Sequence, residues 1–160
     1  MDIDKVSWWD DAIVGDKRVS HGRTITESEV FALSALMGSF VPLHNDVEYA
    51  KTTIYGQRVV SGQMNMIIAA GLRVHMLWYG DNFAGPSMIA FLGFDNVRFP
   101  APLFIGDTIH LETTIQSKKE TSKPNRGIIT FLDEVVKQDG TVVARWERAM
   151  MQSMRPGKGE

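Results

Sequence analysis

Hydrophobic and polar positions divide this chain into a helical first half and a strand-like second half. Thr26-Glu27-Ser28-Glu29 has the spacing of a capping box: the Thr hydroxyl takes a backbone N–H and Glu29 reaches back to the cap. It opens a predicted helix with Val30, Phe31, Leu33, Ala35, Leu36 and Met37 on an apolar face, stopped by Gly38. A proline-containing loop, 39–43, leads to His44. Residues 46–51 then predict a short second helix, with Asp46 near its N-terminus. Residues 61–79 read SGQMNMIIAAGLRVHMLWY, apolar on nearly every side, with Ser61 placed as an N-cap. A membrane span needs about 20 mostly uncharged residues, and Arg73 and His75 interrupt this run. The segment is expected to be a long helix buried by surrounding structure.

Residues 80–86 predict a loop, after which the texture turns to β. Residues 87–93 and 95–99 carry strand-like composition, and Pro100-Ala101-Pro102 interrupts. From Gly106-Asp107 the alternation is clean, with Ile109, Leu111 and Ile115 on one side and His110, Glu112 and Gln116 on the other. Residues 118–125 form a polar turn. Residues 128–138 and 142–152 are strands joined by a tight turn at Asp139-Gly140. Residues 1–22 look irregular, with an exposed-looking Trp8-Trp9 pair expected to cap the core or face a partner. The tail from Arg155 is expected to be loose. The whole, 1–160, is one α+β domain with its core over about 15–152. About five antiparallel strands curling round the 61–79 helix would bury it, the hot-dog arrangement. A second copy covering the sheet edges makes a homodimer the expectation.

Composition narrows the functions. With 160 residues, 44% hydrophobic, the chain can bury a sizeable core without staples. The absence of cysteine removes thiol nucleophiles, thiolate metal sites and redox dithiols. A net charge of −2 offers no basic field for nucleic acid and no cationic face for a membrane. The acidic start lacks an apolar signal region, so a cytoplasmic location is the default. Four scattered histidines lack metal-ligand spacing, and no Gly-rich phosphate loop is present, so neither metal nor cofactor is expected.

His44 is the first candidate for chemistry, an imidazole in a loop on a rigid scaffold. Gln63 and Asn65 sit in the first turn of an otherwise apolar helix, either facing a substrate or bonding local backbone. His75 reads as a core histidine and His110 as a solvated one. Lys118, Lys119, Lys123 and Arg126 gather at one turn, either a solvated hairpin end or a contact for phosphates.

Gly38-Ser39-Phe40-Val41-Pro42-Leu43-His44, followed by five residues and Ala50, resembles the signature of the MaoC-like, (R)-specific enoyl-CoA hydratase family, Gly-Asp-x-Asn-Pro-Leu-His-x5-Ala. Thr24-Ile25-Thr26, Val59-Val60-Ser61-Gly62, residues 102–107 and residues 122–127 extend the resemblance over about 15–152. It implies a hot-dog dimer acting on an acyl-CoA or acyl-carrier thioester. His44 then matches the family's catalytic histidine, and Gly62 matches the helix-start position whose N–H polarises the thioester carbonyl. The signature Asp is Ser39 here, and the signature Asn is Val41. A serine hydroxyl can orient water but cannot cycle protons as a carboxylate does. Asp46 could supply a carboxylate or only cap its helix. Ser61, Gln63, Asn65, Asp46 and Arg126 are the candidate substrate contacts. Hydration or dehydration leads; a non-catalytic acyl-thioester-binding protein and a thioesterase are the alternatives.

Overall fold

The computed structural model describes residues 7–79 and 87–157, so the predicted 80–86 loop and residues 158–160 lie outside it. Six strands form one antiparallel sheet: β1 (Lys17–Val19), β2 (Arg23–Thr24), β3 (Met88–Arg98), β4 (Thr108–Glu120), β5 (Arg126–Lys137) and β6 (Val142–Ser153). The hydrogen-bonded order is β1-β4-β5-β6-β3, with β2 also on β4. Helices α1 (Glu27–Met37), α2 (Pro42–Asn45), α3 (Val47–Lys51) and α4 (Gly62–Tyr79) precede the long strands.

The sheet's inner face follows the period of two. Ile109, Leu111, Thr113 and Ile115 on β4 are buried, as are Ala144, Trp146, Arg148 and Met150 on β6. Ile109, Leu111, Ala144 and Trp146 pack with Met64, Ile68, Ala69 and Leu72 of α4, the arrangement of a sheet folded about a long helix, while Ile115 packs with Trp9 and Ile129. The Asp139-Gly140 turn forms as expected, Gly140 supplying a φ of 86°. The capping box also forms: Thr26 N–H donates to Glu29 Oε2 at 3.0 Å, and Gly38 ends α1 in the left-handed conformation.

Several expectations change. α4 is not covered on every side by its own chain, because Ile67 (46% exposed) and Val74 (49%) lie on an open stripe. One curled sheet reaches only one side of a helix. On α1, Val30 is buried but Phe31 and Leu36 are exposed, so helical spacing alone did not identify the inner face. The described residues hold six strands because β1 lies in the 1–22 region that looked irregular and β2 directly follows it. They are edge strands held to β4 by backbone, with every side chain exposed and no alternation to read. Residues 87–99 give one strand, β3, with register shifts between Met88 and Ala90, Phe91 and Gly93, and Asp95 and Arg98.

The Trp pair is buried, not exposed. Trp9 lies on Gly127, where an added Cβ would fall 2.2 Å from Nε1, and its indole N–H donates to Ile128 O. Lys118 secures this cap by donating to the carbonyls of Trp9, Asp10 and Ala12 and by sitting 4.1 Å from the Trp9 ring centroid. That work is structural. Arg155, expected to be loose, donates its N–H to Asp10 and its guanidinium to Asp11. His75 is exposed and meets His21 edge-on at 4.3 Å, not in the core. Among the described residues no helix is long and apolar enough to cross a membrane.

Candidate active site

Gly38, with φ at 64°, turns the chain out of α1 and lets Ser39 N–H close onto Ser34 O at 2.9 Å. Pro42 then takes the first position of α2, where its fixed φ suits a helix start. His44 therefore stands in a one-turn helix rather than the predicted loop. Asn45 ties this turn back, its amide donating to Ser39 O (3.2 Å) and Val41 O (3.0 Å).

The His44 ring is fixed by one strong contact, Nδ1 to Val59 O at 2.6 Å. A carbonyl only accepts, so Nδ1 carries a proton, and in the neutral imidazole the lone pair is therefore on Nε2. Val59 in turn bridges Phe104, and Val60 N–H donates to Leu103 O. Asp107 holds that 104–107 turn by accepting from Phe104 N–H (2.9 Å), from Lys137 and from Gln138. Burial alone would raise its pKa. The hydrogen bonds from Lys137, Phe104 and Gln138 outweigh that and hold the carboxyl below its ordinary range.

Two residues beyond Val60, α4 begins. The N–H groups of Gly62, Gln63 and Met64 have no acceptor among the described residues, as expected for a first helical turn. They combine with the positive end of the helix dipole to suit an oxygen that gains negative charge. Asn65 is buried, donates to Ser61 O and leaves Oδ1 without a partner. Buried Ser61 flanks it, and Gln63 points to the open side. Phe99 packs directly on Gly62, with ring carbons 3.0 Å from where a Cβ would sit. Sequence reading passed over Phe99 and the Val59 carbonyl; the Phe-Pro break after β3 was the only local signal for the first.

His44 is thus tied to Val59 O, three residues before Gly62, and the same turn is tied to Ser39 O through Asn45. Ser61 and Asn65 are bonded to each other at the start of α4. No hydrogen bond joins Ser39 to His44 among the described residues. Asp46 is not brought to the imidazole either: its Oδ1 caps α3 by accepting from Tyr49 N–H at 3.0 Å, the plainer of its two expected roles. Arg126 lies at the opposite end of the sheet, where its carbonyl closes the β4–β5 hairpin onto Thr121, so a single chain does not bring it to the turn that carries His44.

The MaoC like domain family matches residues 11–153. Protein MaoC of Klebsiella aerogenes is 36% identical over 112 residues, 70% of this chain, which spans only 31% of that protein. The (R)-specific enoyl-CoA hydratase of Aeromonas caviae is 30% identical over 120 residues, 75% of this chain and 81% of that enzyme. A solved structure called a monoamine oxidase regulatory protein, from Archaeoglobus fulgius, superposes with a TM-score of 0.88 at 32% identity, covering 94% of this chain and 96% of the other.

Proposed function

The chain belongs to the MaoC-like domain family and has a hot-dog fold, and on that premise we propose that it hydrates enoyl thioesters and dehydrates 3-hydroxyacyl thioesters. The thioester is carried on CoA or on an acyl carrier. The observation that carries this reading is the His44 Nδ1–Val59 O bond. It leaves Nε2 basic and aimed by a rigid partner, close in sequence to the unpaired N–H groups of α4.

The chemistry balances with these groups alone. Nε2 of His44 takes a proton from water as the water oxygen bonds to C3 of the enoyl group. Negative charge moves through C2 to the thioester oxygen, where Gly62 N–H donates to it. The imidazolium then returns its proton to C2. Ser39 holds the attacking water through its hydroxyl, and Asn65 Oδ1 and Gln63 provide polar contacts to the substrate. No cofactor is required.

A second reading is favoured by a specific feature: Ser39 replaces the carboxylate, and no hydrogen bond links His44 to an acid among the described residues. Removing a positioned acid–base group typically lowers rate by about 10²–10⁴, which would leave an acyl-thioester-binding protein. A thioesterase is less supported, since Ser39 and His44 are not bonded. Incubation with crotonyl-CoA separates the three readings. Loss of enoyl absorbance supports hydration; binding without turnover supports the second reading, and release of free thiol supports the third.

We also propose that the protein works as a homodimer. β3 is a sheet edge on which Met88, Ile89, Phe91 and Leu92 are each close to half exposed, and α4 adds its open stripe. An exposed apolar edge of that length favours pairing with a second copy.

A further inference from the structure

A second region carries chemistry that the proposed reaction does not use. Behind the C-terminal half of α4 lies a cavity of about 80 Å³, walled by Met76, Ile115, Ile129 and Met150 and including Arg73 and Arg148. Ser39, His44 and Gly62 do not line it. Arg73 is eleven residues along α4 from Gly62, about 16 Å at 1.5 Å per residue.

The two arginines share one carboxylate, Asp133, which is fully buried. Its Oδ1 accepts from Thr113 (2.5 Å) and Arg148 Nη2 (3.3 Å). Its Oδ2 accepts from Arg148 Nε (2.6 Å), Trp146 Nε1 (3.1 Å) and Arg73 Nη1 (3.4 Å). A carboxylate offers about four lone-pair sites, and five donors crowd onto it. Arg73 holds the longest bond, and its remaining N–H groups have no acceptor among the described residues. Burial, followed by the Arg148 charge, lowers the Arg73 pKa to about 10, so the guanidinium stays charged at neutral pH.

The charge balance is likewise short of one anion. At the mouth, Asp11 is engaged by Arg155, and the lining residues Asp16 and Arg18 carry opposite charges that offset each other. Inside, two guanidiniums face one carboxylate. A buried charge without a full counter-charge is unfavourable, so an added anion would stabilise it. A water needs roughly 10–15 Å³ by the same measure, so the space suits a body of about half a dozen heavy atoms.

We propose that this cavity is a binding site for a short aliphatic carboxylate, its oxygens on Arg73 and Arg148 and its apolar body against Met76, Ile115, Ile129 and Met150. The carboxylate comes either from a free acid or from the far end of an acyl group whose thioester lies at Gly62. The second source rests on the hydratase reading; the site itself does not.

Titration calorimetry of the full chain at constant ionic strength, with butanoate as probe and butanamide and chloride as controls, tests this. Butanoate is expected to bind at least tenfold more tightly than either control. Arg73→Met should weaken it at least tenfold. Met76→Trp, which fills the cavity and leaves both arginines, should abolish it and decides the matter if the first variant does not fold. Butanoate binding no better than butanamide or chloride, or unchanged by Met76→Trp, overturns the proposal. Turnover of a long-chain enoyl-CoA whose acyl group ends in a carboxylate, measured with saturating butanoate, then separates the sources. Competitive inhibition assigns the cavity to the acyl channel, and an unchanged KM assigns it to a free acid. Failure of turnover would count against the hydratase reading alone, because the calorimetry does not depend on it.

Discussion

Replacing Asp133 with asparagine isolates the most charged feature of the core. The substitution keeps the side chain's shape and removes its charge. One oxygen becomes an amide NH2, which must face either Thr113 and Arg148 Nη2 or the trio of Trp146, Arg148 Nε and Arg73 Nη1. At least one hydrogen bond is lost, and two guanidiniums, the Arg148 side chain only 5% exposed, remain in the core without a counter-charge. Breaking a buried pair by removing one partner costs about 3–5 kcal/mol. In a domain of 150–250 residues, 1 kcal/mol moves Tm by about 2–4 °C, so Asp133→Asn should melt roughly 6–20 °C below the parent. Calorimetry or thermal circular dichroism at pH 7 reads this directly. Adding Arg73→Met to the variant should recover part of the loss, since it removes one of the stranded charges. A Tm loss below 2 °C, or further loss in the double variant, would refute the reasoning.

Three further outcomes follow from particular contacts. Gly127→Ala should drive Trp9 off its seat, costing about 1–3 kcal/mol and shifting tryptophan emission to the red; unchanged emission would contradict the packing. Asp107, whose folded pKa lies below its unfolded one, contributes stability that is complete above the unfolded pKa and lost as pH falls through the folded value. Asp107→Asn should therefore lower stability at pH 7 and flatten its decline below about pH 4, read by urea unfolding across pH. Phe91→Lys on β3 should convert a dimer to a monomer in sedimentation, whereas a wild type already monomeric would remove the dimer proposal.

Local rules carried a good part of the architecture. The Thr26–Glu29 box, the Asp139-Gly140 turn and the alternation at Ile109, Leu111 and Ile115 are all short-range, and all form where expected. What stayed hidden is long-range. Trp9 looked exposed because its seat, Gly127, is 118 residues away in sequence. Arg73 read as an interruption of an apolar helix because its partner, Asp133, comes from a distant strand. The half-covered face of α4 depends on how far one sheet can curl, which no helical period records. At the site, His44 was legible as a candidate, but the Val59 carbonyl that sets its tautomer belongs to the backbone and leaves no mark on residue type.

The central claim is that His44 Nε2 acts as the base on water at an enoyl thioester. It is tested most directly by following loss of enoyl absorbance with crotonyl-CoA for the wild type and for His44→Ala. The account predicts hydration by the wild type and a fall in kcat/KM of about 10²–10⁴ in the variant, with acyl-CoA still bound. Equal rates in the two proteins, or a wild type that binds the thioester and never hydrates it, would contradict the account.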